Sequence, residues 1–86
     1  MTDRAIAEEI LRRTAERGPA KSICPSEVAR GLEPDEASWR RLMPRVREAA
    51  AALARDGRVE ILRKGKPVDP AEEIRGVIRL RWKEHP

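Results

Sequence analysis

The C-terminal third of the chain alternates like a pair of strands around a long polar insertion, and this limits the folds open to it. Arg58-Val59-Glu60-Ile61-Leu62-Arg63-Lys64-Gly65-Lys66 leads into an acidic stretch, and Arg75-Gly76-Val77-Ile78-Arg79-Leu80-Arg81-Trp82 leads out of it. Val59 and Ile61 alternate with Glu60 and Leu62, while Ile78, Leu80 and Trp82 share a face opposite Val77, Arg79 and Arg81. Gly65 and Lys66-Pro67 open the insertion and Arg75-Gly76 closes it, a span too long for a tight hairpin turn. The pattern predicts a β-hairpin with an extended tip.

Helical periodicity fills the chain upstream. Ile6, Ile10, Leu11 and Ala15 form a stripe over residues 3–17, Thr2 or Asp3 can cap its start, and Gly18-Pro19 stops it. Residues 20–25 read as extended because Pro25 biases its predecessor away from helix. Ser26 then suits the cap of a short helix, Glu27-Val28-Ala29-Arg30, closed by Gly31. Further on, Trp39, Leu42, Met43, Val46, Ala50 and Leu53 fall within about 100° on a helical wheel. The stripe continues in phase across Pro44, which nevertheless lacks the N–H that would bond the Arg40 carbonyl and so should kink or break the helix. The expectation is a short helix over 35–42, a break, and a main third helix over 44–55 before the Asp56-Gly57 turn.

Three main helices followed by a basic hairpin form the layout of a winged helix, with the extended segment before Pro25 available as a third strand. The expected fold class is therefore α+β, one small winged-helix domain over residues 1–86 with a helix-turn-helix core and a C-terminal wing. Its length of 86 residues suits a radius of gyration of about 12 Å. Charged residues reach 40%, but hydrophobic residues also reach 40% and fall in clean periods, so the chain reads as folded rather than disordered.

The net charge of +4 is uneven: residues 58–86 carry eight basic and five acidic groups and so supply +3 of it. Such a basic region fits an anionic partner. Arg outnumbers Lys fifteen to four, which a GC-rich coding sequence alone can also produce. Cys24 is the single cysteine, excluding a disulfide framework and a cysteine-based metal cluster. The N-terminus has no apolar signal region and no apolar run nears the roughly 20 residues a membrane span needs. The expectation is a cytoplasmic protein of bacterial type with no membrane association.

Catalytic signatures are weak. The single histidine, His85, lies beside the C-terminus, and no Ser–His–Asp set, metal-ligand cluster or glycine-rich phosphate loop can be assembled. Gly65-Lys66 lacks the upstream glycine and following hydroxyl of a phosphate loop, and Glu72-Glu73 reads as a solvated turn. Cys24 precedes a helix start, where a thiol can become reactive, but it reads more simply as a small apolar residue beside Ile23. No catalytic residue, metal ligand or cofactor is expected.

Arginines carry the functional reading instead. The surface opposite the third-helix stripe contains Arg41, Pro44, Glu48, Ala51 and Arg55, flanked by Arg40, Arg45 and Arg47. The second helix of a helix-turn-helix reaches base edges with its N-terminal residues. The small Ala51 would permit close approach to a groove, although Glu48 on the same face would meet phosphates badly. The wing stems add Arg63, Lys64, Lys66, Arg75 and Arg79, placed for a phosphate backbone, whereas Asp69, Glu72 and Glu73 make the tip acidic. Trp39 and Trp82 fall on apolar stripes, and with no Phe or Tyr there is no stacking platform for single strands. The candidate nucleic-acid-binding set is Arg40, Arg41, Arg45, Arg47, Arg63, Lys64, Lys66 and Arg75. The expected function is non-catalytic binding of double-stranded DNA, as in a transcriptional regulator. The acidic tip and the exposed Ala51-Ala52 keep a protein-interaction module as the alternative. A monomer or weak homodimer is expected, since a long dimerising extension is missing.

Several stretches also carry a family resemblance. Cys24-Pro25-Ser26-Glu27-Val28-Ala29-Arg30, Trp39-Arg40-Arg41-Leu42-Met43-Pro44-Arg45-Val46-Arg47 and the run from Gly57 to Pro70 resemble a family of short uncharacterised bacterial proteins, a domain of unknown function. The closing Arg75-Gly76-Val77-Ile78-Arg79-Leu80 is similar to it too. The resemblance covers nearly the whole chain and implies a winged helix. It implies no activity, substrate or site residue.

Overall fold

Thr2 starts the first helix, α1 (Asp3–Arg17), by accepting the Ala5 N–H on its hydroxyl at 3.1 Å. The computed structural model describes residues 1–84, so His85 lies outside the described residues. Ile6 and Ile10 are buried as the stripe requires, but Ala15 is exposed and Thr14 takes the inward position. Thr14 lies four residues after Ile10, and its hydroxyl donates to the Ile10 carbonyl at 2.8 Å, so its polarity costs little there. Gly18 ends the helix at φ 80, donating its N–H to Thr14 O. On the outer side Glu9 pairs with both Arg12 and Arg13. The Arg12 hydrogen bond, helped by Arg13, holds the Glu9 carboxyl below its ordinary value against the opposing effect of partial burial.

After β1 (Ser22–Ile23) comes α2 (Pro25–Leu32), which starts earlier and ends later than the sequence suggests. Pro25 sits in the first turn, where its missing N–H costs nothing. Glu27 reaches back and accepts the Cys24 N–H at 2.8 Å, so Cys24, not Ser26, is the cap. Cys24 is half-buried, with the Ser26 hydroxyl donating to its Sγ at 3.0 Å. Gly31 lies inside the helix with the Arg13 guanidinium packed over it, so that a Cβ there would meet Arg13 Cζ at 2.9 Å. The stop comes two residues on, where Pro34 forces Glu33 into extended backbone at φ −135 and ψ 96.

α3 (Glu36–Arg55) is one 20-residue helix that runs through Pro44 without the expected break. Asp35 caps it, accepting the Ser38 N–H at 3.1 Å. Leu42, Val46, Ala50 and Leu53 are buried, with Trp39 and Met43 partly buried, and the stripe stays in phase across the proline. Pro44 and Arg40 are both exposed residues, so the carbonyl that loses its donor lies on the solvent side of α3. Water can replace that bond, while a break would misalign two buried halves of the stripe. Pro44→Ala restores the N–H and is expected to raise the unfolding free energy by about 1–2 kcal/mol, somewhat less than the full interior-proline cost. Urea denaturation checks it; an unchanged midpoint would mean that the bond was never missed.

The sheet joins β2 (Val59–Arg63), β3 (Lys66–Pro67) and β4 (Arg79–Trp82) to β1 in the antiparallel order β1-β4-β2-β3. Val59 opposes Trp82, Ile61 opposes Leu80, and Leu80 also opposes Ile23, which sets a buried apolar row against the helices. Trp82 at the row's end is half-buried. Contrary to expectation, the chain does not open out at Gly65. Lys64 and Gly65 form a tight two-residue turn with φ 53 and 79, and Arg63 faces Lys66 across it. Pro67 is tolerated because β3 is an edge strand. The long excursion follows β3 instead. The result is a small α+β fold of three helices and a four-stranded antiparallel sheet, compatible with a winged-helix arrangement, with a radius of gyration of 11.8 Å.

Candidate nucleic-acid interface

Arg41 and Arg47 flank the exposed Pro44 on the outer face of α3, each about 60° around the helix from it. The structure gives the eight candidate cations three different surroundings. Arg40 lies 3.5 Å from Glu36 and 5.0 Å over the Trp39 ring, which Arg30 covers at 4.6 Å. Arg45 donates to Asp3 and to the Met1 carbonyl, each at 2.8 Å. Arg75 pairs with Glu73 at 2.7 Å. Arg47 and Arg63 are also engaged, but with neutral partners. Arg47 donates to the Ile74 and Gly76 carbonyls at 3.2 and 3.1 Å, and Arg63 donates to the Arg75 carbonyl at 3.2 Å. Arg41, Lys64 and Lys66 make no hydrogen bond or ion pair from their side chains among the described residues.

This division matters electrostatically. A carboxylate partner cancels a guanidinium's field at a distance, even where the exposed pair stabilises the fold little. A carbonyl offers only a dipole, so Arg47 and Arg63 are held in place with their unit charge intact. Arg79 is alike: it donates to the Ser22 hydroxyl at 2.7 Å and the Ser22 carbonyl at 3.0 Å. Ser22 was not singled out by the sequence, and nothing in its spacing marks it; nor was Arg30, whose contact with Trp39 joins two helices.

The insertion after β3 is not a free wing tip. Val68 donates to Ile61 O at 2.8 Å, the Asp69 side chain accepts the Ala71 N–H at 2.9 Å, and Val68 and Ile74 pack against the core. Residues 70–76 thus lie back toward α3 across a groove of about 540 Å³ bordered by Pro44, Glu48, Ala51, Glu72 and Ile74. Ala51 is half-buried beside this segment instead of open to a ligand, and Ala52 alone of that pair is exposed. Along the groove the carboxylates of Glu48 and Glu72 offset Arg47 and Arg55, the latter donating to the Pro70 carbonyl at 3.5 Å, so the groove itself presents no net positive charge to a polyanion. On the other side of Pro44, Arg41 has no carboxylate partner among the described residues. Arg47 touches Gly76, and Gly76 borders one concavity with Lys64 and Gly65, which links α3 to the hairpin turn.

Among the described residues no group of His, Cys, Asp and Glu could hold a metal ion, and no helix is long and apolar enough to cross a membrane. No curated protein matches the chain. A family model does match, over residues 3–83, and its span takes in α1, the sheet and every candidate cation. The chain belongs to the family described as "Protein of unknown function (DUF3253)".

Proposed function

We propose that the protein binds double-stranded DNA without catalysis, through the middle of α3 on either side of Pro44 and the tight turn between β2 and β3. The supporting observation is a connected set of cations that keep their charge. Arg41 and Arg47 flank Pro44, Arg47 and Arg63 grip the same three-residue segment from two sides, and Lys64 and Lys66 follow Arg63. Arg40, Arg45 and Arg75, part of the same sequence-based set, are given up as main contacts because Glu36, Asp3 and Glu73 already face them. Positioning by phosphate contacts rather than base reading is the mode such a set supports.

Five contacts set the expected salt dependence. With three to five phosphates neutralised, log Kobs against log salt should fall with a slope of about −3 to −4.5. Arg41→Ala should make that slope shallower by about 1 on any duplex sequence. Fluorescence anisotropy of a labelled duplex at low salt reads both. The reading fails if no binding occurs below about 100 μM, or if the slope does not respond to Arg41→Ala.

A further inference from the structure

Val77 is 86% exposed, a large apolar side chain left in water two residues before the last strand. Beside it lies Leu62, buried at 7% yet outside the main core cluster. Leu62 opposes Arg79 in the ladder, two residues from the Glu60–Arg81 pair, and so sits on the sheet face turned away from the helices. These two apolar residues floor a concavity of about 560 Å³, within the usual range for a small-molecule site. Its rim carries Arg63, Lys64 and Arg79 together with Ser22, and among the described residues no carboxylate lines it.

We infer that this concavity is a binding site for an organic monophosphate, a dianionic phosphate carried on a ring-sized apolar body. Three cations with no carboxylate partner around one small site repel one another, and an anion placed among them relieves that. Two are preset: Ser22 fixes Arg79 through Nε and Nη2, and the Arg75 carbonyl fixes Arg63 through Nη1, leaving other guanidinium N–H groups free. Lys64 sits at φ 53 in the tight turn and adds a mobile third charge. The phosphate takes the cationic rim, and the ring covers Val77 and Leu62. Inorganic phosphate would leave that apolar floor wet. The inference does not depend on duplex binding, with which it shares only Arg63 and Lys64.

The probe is phenyl phosphate, followed by amide and methyl NMR shifts of the whole chain. We expect saturating shifts centred on Lys64, Gly65, Gly76, Val77 and Arg79 with a Kd of about 1 mM, as suits so small a ligand. Inorganic phosphate should bind at least about fivefold more weakly, and phenol should give no saturation. Val77→Ser, at an exposed position, should weaken phenyl phosphate about threefold and leave inorganic phosphate unchanged. Lys64→Gly, which suits the positive φ, should weaken both. Arg41→Ala should leave phenyl phosphate binding intact while lowering the duplex salt slope, so the two readings fail separately. Equal affinity for phenyl phosphate and inorganic phosphate, shifts centred elsewhere, or indifference to Val77→Ser would each overturn the assignment.

Discussion

Leu80→Ala is expected to lower the unfolding free energy by about 3–4 kcal/mol, a large share of what so small a domain has. Leu80 is fully buried in β4, the strand between β1 and β2, and it opposes Ile23 on one side and Ile61 on the other. Truncation therefore removes a fully buried side chain between both neighbouring strands and beneath α1. A domain of 86 residues has a total stability of only about 4–13 kcal/mol at typical values per residue. Urea denaturation with an unchanged m-value is the measurement, and Val77→Ala, at an exposed position, is the control expected to change little. A loss below about 1 kcal/mol for Leu80→Ala would show that the central strand is not the anchor of the sheet.

Arg47→Ala is expected to free the segment that folds back on α3. That segment is poor in backbone hydrogen bonds; Val68 to Ile61 and Glu72 to Asp69 are the ones between residues 68 and 76 among the described residues. Its carbonyls at Ile74, Arg75 and Gly76 are satisfied by the Arg47 and Arg63 side chains instead. Losing two charge-assisted bonds at a partly exposed site should favour local opening by about 2 kcal/mol, or about 30-fold. Trypsin reads this directly, because Arg75 lies inside the gripped segment and cleavage follows the open population when reclosing is fast. Cleavage after Arg75 should accelerate about 30-fold in Arg47→Ala, by less in Arg47→Lys, and not at all in Arg40→Ala, which makes no contact with the segment. An unchanged rate in Arg47→Ala would mean that Ile74 packing alone holds it.

Local chemistry decided which parts of this architecture were legible. α1 has the bounds its apolar period and its Thr2 and Gly18 signals predict, because all three act within a few residues. The strand alternation and the extended backbone before Pro25 were readable for the same reason, while the pairing of that segment with β4 joins Ser22 to Arg81 and followed only from the expected fold. Gly31 and Pro44 misled because each is a helix-ending residue inside a helix that continues. The α2 helix runs on to Leu32, where Pro34 rather than Gly31 sets its end, and the buried stripe on either side of Pro44 keeps α3 in one piece. The tip misled likewise, since its fold-back depends on Arg47, 27 and 29 residues from its acceptors. For the site, the residue types were plain but their charge state as a field was not. Arg45 and Asp3 are 42 residues apart, and nothing local distinguishes the neutralised Arg45 from the carbonyl-bound Arg47.

The carbonyl-held arginines have a further consequence, in rotamer entropy. Fixing a free arginine side chain costs up to about 1.5–2 kcal/mol, normally charged to the moment an anion binds. For Arg47, Arg63 and Arg79 that ordering accompanies folding, because main-chain carbonyls already select the rotamer. Lys64 and Lys66, in contrast, must be ordered by the ligand itself. An anion arriving at this side of the molecule meets three guanidinium groups whose disorder is already gone and two ammonium groups whose disorder is not.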